Sequence, residues 1–362
     1  MNEKLYKFFI ELLNTPSPSG YEGLLMNKFR DFMMPYVDEI TTDAMGNLIA
    51  HKKGNPEKRV MIESHADEIG LMVTYIDKKG YLYFKPLGGI DANILPGIQV
   101  TVHGPNGPVV GIIGKKPIHL LTPTEREKPM KMEDMWIDIS AENKEKAEEM
   151  VEIGSPVTFR TPVVEMSNGL IASKSLDDKA GLAVVAGVAQ QLAENGIETD
   201  MDLYFVAAVQ EELGTRGVQP AAYGINPLIG IALDVTHATD YPGVPAEKFG
   251  DFKMNGGAVV ATGPNICYKL SKTLKEISKQ KGIKCQSEAI PRATSTDART
   301  IQLVHEGVLT GLVSIPCRYM HTPNEVVSTN DIQSAIDMIS EFCKQDVSME
   351  EYAPLNNIII KD

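Results

Sequence analysis

The chain has 362 residues, 43% apolar and 23% charged, an ordinary balance for a soluble globular protein long enough for two domains or one domain with an insertion. Its formal net charge of −13 argues against nucleic acid or anionic membrane as the main partner. No apolar run approaches the ~20 residues needed to span a bilayer, and the N-terminal Met-Asn-Glu-Lys-Leu-Tyr-Lys lacks the apolar core of a signal peptide. Cys267, Cys285, Cys317 and Cys343 form no Cys-x-x-Cys pair, so reduced thiols and a cytoplasmic location are expected.

Leu5, Phe8, Phe9, Leu12 and Leu13 follow the i, i+3, i+4, i+7, i+8 spacing of a helix with one apolar face. Thr15-Pro16-Ser17-Pro18-Ser19-Gly20 stops it, and a second helix is expected from about Tyr21 to Phe32. Val60–Ile62 reads as a short buried strand. From about Gly70 to Pro162 the texture turns β-rich: hairpins over Tyr75–Tyr83 and over Val100–His103 with Val109–Ile112, then a strand at Trp136–Ile139. A charged helix is expected over Glu142–Val151.

Strand and helix then alternate. The pattern predicts an amphipathic helix over Ala180–Leu192, stopped at Asn195-Gly196, and strands at Leu203–Val209, Leu228–Leu233 and Val308–Ile315. It adds helices at Tyr268–Lys281 and Asp331–Cys343. The expected fold class is α/β, with a mostly parallel mixed sheet flanked by helices and an inserted β-barrel-like domain. The expected division is a discontinuous catalytic domain (1–69 and 164–347), an insertion (70–163) and a tail (348–362).

Five segments place metal-type ligands where a strand ends or a helix begins: His65-x-Asp67, Asp177-Asp178, Glu211-Glu212, Asp234 and His321. In an open α/β sheet, ligands bind beyond the carboxyl ends of the strands, so parallel neighbours would gather all five at one edge. Each cluster alone has an ordinary explanation as a loop, a helix cap or a solvated face. Their coincidence at five separate junctions does not.

Two imidazoles and several carboxylates without thiolate suit two divalent cations, zinc, cobalt or manganese. One carboxylate, best supplied by Asp177, would bridge them. His65 and Asp234 would complete one site, and Glu212 with His321 the other. Asp67 would orient the His65 ring. Glu211 is left free of metal to act as general base and acid on a metal-bound hydroxide.

The motifs Ser-His-Ala-Asp-Glu-Ile-Gly, Leu-Asp-Asp-Lys-Ala-Gly, Gln-Glu-Glu-Leu-Gly-Thr-Arg-Gly, Leu-Asp-Val-Thr-His-Ala and His-Thr-Pro-Asn-Glu-Val closely resemble the M42 family of metallo-aminopeptidases. The resemblance covers nearly the whole chain. It implies a two-metal catalytic domain with a PDZ-like insertion that serves oligomerisation, peptide substrates with a free N-terminus, and a dodecameric or dimeric homo-oligomer. It also implies metal ligands at His65, Asp177, Glu212, Asp234 and His321, a catalytic base at Glu211 and an orienting acid at Asp67. The choice of Asp177 over Asp178 rests on the family's Asp-x-[Arg/Lys]-x-Gly pattern. Thr294 and Ser295 stand where the family usually has glycines, so the backbone beside the substrate pocket is expected to differ.

Arg292, Arg299 and Arg318 are candidates to meet an acidic substrate side chain, with surface salt bridging as the ordinary alternative. His119 and His237 lie near turns, and Gly88-Gly89 and Gly256-Gly257 read as plain turns. Rival functions are another metal-dependent hydrolase such as a deacylase, an endoglucanase, or a non-enzymatic metal-stabilised assembly protein. A carboxylate glycosidase would survive chelation.

Overall fold

The computed structural model describes residues 1–354; of the predicted tail, 355–362 lies outside the described residues. The first three strands are β1 (Glu39–Thr42), β2 (Leu48–Lys52) and β3 (Asn55–His65). Six more close into a barrel: β4 (Gly70–Ile76), β5 (Leu82–Leu87), β6 (Gln99–Gly104), β7 (Gly107–Lys115), β8 (Met135–Asp138) and β9 (Pro156–Phe159). Then follow β10 (Val164–Glu165), β11 (Leu170–Ser173), β12 (Met201–Ala208), β13 (Ile229–His237), β14 (Ala258–Thr262), β15 (Cys285–Ala289), β16 (Leu309–Cys317) and β17 (Glu325–Ser328).

The main sheet has the order β1-β2-β12-β3-β13-β16-β14-β15. Its four middle strands, β12, β3, β13 and β16, are mutually parallel, and antiparallel pairings attach the strands on either side. These middle strands are buried on both faces, which is why their sequences read as unbroken apolar runs rather than alternations. Val60, Ile62, Phe205 and Leu233 pack into the core beneath the helices Glu3–Asn14, Leu176–Glu194 and Thr329–Phe342. Met61, Val206 and Ala232 face the opposite side, against the helices Val218–Ile225 and Ala298–Ile301. The predicted α/β class, with helices on both faces and a separate barrel, is what the chain forms.

Several expectations need correction. The helix expected over Ala180–Leu192 spans Leu176–Glu194 and is not amphipathic: it is buried continuously from Leu176 to Gln190. Its alanines and glycines let neighbours approach closely, and a Cβ at Gly187 would stand 2.5 Å from Ile336 Cδ1 and 2.8 Å from Leu5 Cδ2. The Glu142–Val151 helix shrinks to Lys144–Glu148, because Asn143 caps it and Val151 already belongs to the barrel core. The strand predicted at Val60–Ile62 runs from Asn55 to His65, and the one at Leu228–Leu233 extends to His237 with Asp234 inside it. The short edge strands β1 and β15 had no apolar pattern to announce them. No helix among the described residues is long and apolar enough to cross a membrane.

Candidate active site

The sheet register sets the site. His65, the last residue of β3, pairs with Ala208 at the end of β12, and Glu63 pairs with Ala232 of β13. The ends of β3 and β12 are therefore level, β13 passes them with Asp234 beside His65, and these residues and the Glu211-Glu212 pair gather at one edge. Asp177 and Asp178 reach it from the start of the helix Leu176–Glu194, where both depart from helical φ/ψ. His321 arrives from the loop after β16.

Asp177 is central. Its Oδ1 lies 3.1 Å from His65 Nε2, and its Oδ2 lies 3.2 Å from His321 Nε2. His321 Nε2 is also 3.4 Å from Glu212 Oε1. The ligand atoms of His65, Asp177 and Glu212 lie within 4.8 Å of one another, as do those of His65, Asp178 and Asp234. The Asp178 carboxylate has partners of its own, accepting from Ser64 Oγ at 2.6 Å and from Gly181 N–H at 3.0 Å.

Both imidazoles are oriented by backbone. His65 Nδ1–H donates to the Asp67 carbonyl at 3.1 Å, and His321 Nδ1–H to the Gly89 carbonyl at 2.9 Å. Each Nε2 then faces carboxylate oxygens, donating to them while it carries a proton and offering its lone pair to a cation when it does not. Carboxylates gathered this closely need positive charge among them, from protons on the two imidazoles or from a cation in their place. The donor set therefore fits divalent cations bound by nitrogen and oxygen.

The electrostatics say the same. Burial pushes Glu211 up to about 8 and Asp178 up to about 7, and it drives Glu212 and Asp234 upward as well. Asp177, despite its burial, is held well below the carboxylate range by hydrogen bonds from His321 and His65. Hydrogen bonds to Asp177 and Glu212 raise His321 to about 11. A buried group this rich in anions is short of positive charge.

The site opens into a cavity of about 810 Å³ lined by Asp177, Glu211, Glu212, Asp234, His237, Glu288, Arg292, Thr294, Thr296 and His321, among others. Residues 46–338 match the family model described as M42 glutamyl aminopeptidase.

The chain belongs to the M42 peptidase family.

A lysyl aminopeptidase of Pyrococcus furiosus is 35% identical to it over 351 residues, 96% of this chain and 97% of the relative. A TET aminopeptidase from the Thaumarchaeota archaeon SCGC AB-539-E09 superposes with a TM-score of 0.91 at 33% identity, covering 95% and 97% of the two chains. The TET1 peptidase of Pyrococcus horikoshii, which can assemble into a tetrahedron or a large octahedral shell, superposes at 0.83 with 27% identity, covering 94% and 100%. The protein is thus an aminopeptidase of the M42 family, with a His/Asp/Glu cluster able to hold metal.

Several residues of this M42 aminopeptidase escaped sequence reasoning. Glu325, 1% exposed, accepts from Asp177 N–H at 3.0 Å and from His321 N–H at 2.8 Å, tying two cluster residues together. It stands in the quoted His-Thr-Pro-Asn-Glu-Val motif, which was the available signal. Glu63 and Asp297 lie against each other, and burial pushes both up, Asp297 to about 6; none of their four carboxylate oxygens meets a hydrogen-bond donor among the described residues.

Asp67 meets both the ring and the dyad, its carbonyl accepting from His65 Nδ1–H at 3.1 Å. Its carboxylate stands 3.5 Å from His65 Nδ1 but accepts from Glu211 N–H at 2.9 Å and Glu212 N–H at 3.1 Å. It holds the ring through its carbonyl and the dyad through its carboxylate. Arg318 is committed to Asp240 through two bonds of 2.8 and 2.7 Å, the ordinary structural reading. Arg292 and His237 line the cavity; Arg299 and His119 do not.

Gly88-Gly89 is more than a turn. It carries the barrel's contact with the site, and Gly88 has φ +81 with Glu212 Oε2 only 3.1 Å from where a Cβ would stand. Gly88→Ala is therefore expected to destabilise the fold by roughly 1–2 kcal/mol from the left-handed backbone alone. A shift in the urea midpoint measures this, and an unchanged midpoint contradicts it.

Proposed function

We propose that this M42 aminopeptidase removes N-terminal residues from peptides with two divalent cations, zinc or cobalt, with manganese as a further candidate. His65, Asp177 and Asp234 would hold one ion, and Asp177, Glu212 and His321 the other. The observation that carries this reading is the divided Asp177 carboxylate, one oxygen toward each imidazole, with the Glu211 carboxylate beside it making no hydrogen bond among the described residues. When bound, the ions supply Lewis-acid polarisation of the scissile carbonyl and make water nucleophilic near neutral pH.

Glu211 takes the proton of the attacking water as its oxygen bonds to the carbonyl carbon. It then delivers that proton to the amine as the C–N bond breaks. Its burial, which raises its proton affinity, suits both halves of that transfer. Asp67 holds the backbone of Glu211 still while this happens. Self-association into a homo-oligomer, dodecamer or dimer, is supported by the shells formed by the P. horikoshii relative. A cytoplasmic location is supported by four free cysteines.

Exhaustive chelation is expected to abolish hydrolysis of an aminoacyl-fluorophore panel (Leu, Glu, Asp, Lys). Reloading with Zn²⁺, Co²⁺ or Mn²⁺ should restore it, and N-acetylated substrates should stay intact throughout. Undiminished hydrolysis by metal-free protein contradicts the reading.

A further inference from the structure

Three successive backbone amides end on carboxylates from far away in the chain. Gln210 N–H donates to Glu22 Oε1 at 3.2 Å, Glu211 N–H to Asp67 Oδ1 at 2.9 Å and Glu212 N–H to Asp67 Oδ2 at 3.1 Å. Both carboxylates belong to, or are gripped by, the segment between the first two helices. Ser19 Oγ donates to Asp67 Oδ2 at 2.6 Å, and Glu22 Oε1 also accepts Gly20 N–H at 2.7 Å. Ser19, Glu22 and Asp67 are buried, at 2%, 5% and 0% exposure, so solvent cannot replace these bonds.

The segment is itself fixed. Ser17 N–H donates to Glu68 Oε1 at 2.8 Å, and Glu68 N–H returns a bond to the Ser17 carbonyl at 2.9 Å. The turn it braces is one that would relax if released. Gln210 sits at φ +56, a left-handed conformation that a side chain with a Cβ adopts only when its surroundings impose it.

We infer that Ser19 and Glu22 are positioning residues for the general base, acting through Asp67 and Gln210 to hold the backbone of Glu211. The inference rests on the assignment of Glu211 under the proposed function. Neither residue touches the cavity. Their reach ends at the dyad's amides, and what they set is where the Glu211 carboxylate stands relative to the attacking water. A change that loosens the turn therefore costs turnover without changing substrate affinity.

The test is a kinetic and exchange comparison of metal-loaded enzyme carrying Ser19→Ala or Glu22→Ala. Each is expected to lower kcat about 10- to 100-fold, with KM and bound metal within twofold of wild type. Ser19→Thr and Glu22→Gln, which keep the hydroxyl and the accepting oxygen, should restore most of the loss. In metal-free protein, hydrogen exchange at the 210–212 amides should quicken about tenfold in Ser19→Ala.

In a Glu211→Gln background, Ser19→Ala should lower kcat less than twofold further, because the group it positions is already gone. Wild-type kcat in both alanine variants, or a full multiplicative loss in the Glu211→Gln background, overturns the inference. Near-normal turnover of Glu211→Gln by itself would instead overturn the assignment of the base, so the two failures are separable.

Discussion

Glu211→Gln is expected to lower kcat by roughly 10²- to 10⁴-fold while leaving the bound metal in place. The substitution keeps the side chain's size and removes its capacity to accept a proton. Metal retention follows from geometry, since Glu212, not Glu211, approaches His321, and the backbone of residue 211 stays tied to Asp67. Turnover on an aminoacyl fluorophore, with metal content measured on the same sample, checks both halves. Turnover within tenfold of wild type contradicts the role of Glu211, and loss of metal would mean that it is a ligand.

Glu68→Gln is expected to cost about 3–5 kcal/mol of stability, the range for breaking a buried ion pair by removing one partner. Glu68 is 1% exposed and lies 3.3 Å from Lys179 Nζ, with Lys174 Nζ bonded to its other oxygen. Lys174 and Lys179 are themselves almost fully buried. Burial pushes Glu68 upward, but Lys174 and Lys179 together outweigh it and hold the carboxyl at about 2; burial also drives Lys179 down to about 7.

The pH dependence has a definite sign. A depressed carboxyl pKa contributes stability fully present above the unfolded value near 4.5, and lost as pH falls toward 2. The stability gap between wild type and Glu68→Gln should therefore be widest between about pH 4.5 and 7, narrowing below as Glu68 takes a proton and above as Lys179 loses one. Urea unfolding at several pH values measures this, and a gap below about 1 kcal/mol between about pH 5 and 6 contradicts the account of the buried pair.

Much of this site was legible because parallel strands end in polar residues abruptly. The run before Glu211-Glu212 announced both a buried strand and its terminus, and the same logic placed His65, Asp234 and His321. The helix at Tyr268–Lys281 was readable to the residue because its apolar stripe of Leu270, Leu274 and Ile277 is buried while the opposite face is polar and exposed, the case periodicity detects best. The helix from Leu176 was misjudged for the opposite reason: a helix buried all round has no polar face.

Contacts across long separations left no local trace. Nothing near Asp67 indicates that its carboxylate serves amides 144 and 145 residues away. Nor does Gly89 indicate that its carbonyl will orient His321, 232 residues on. A glycine pair announces a turn, and what that turn touches is decided by how the barrel docks. Glu325 was visible in a motif, but its two backbone bonds depend on the loop geometry of Asp177 and His321.

Anomalous diffraction from crystals loaded with zinc or cobalt tests the central claim most directly. The account predicts two peaks per subunit sharing Asp177, one beside His65 and Asp234 and the other beside Glu212 and His321. A single peak, or peaks that leave Asp177 untouched, would contradict it.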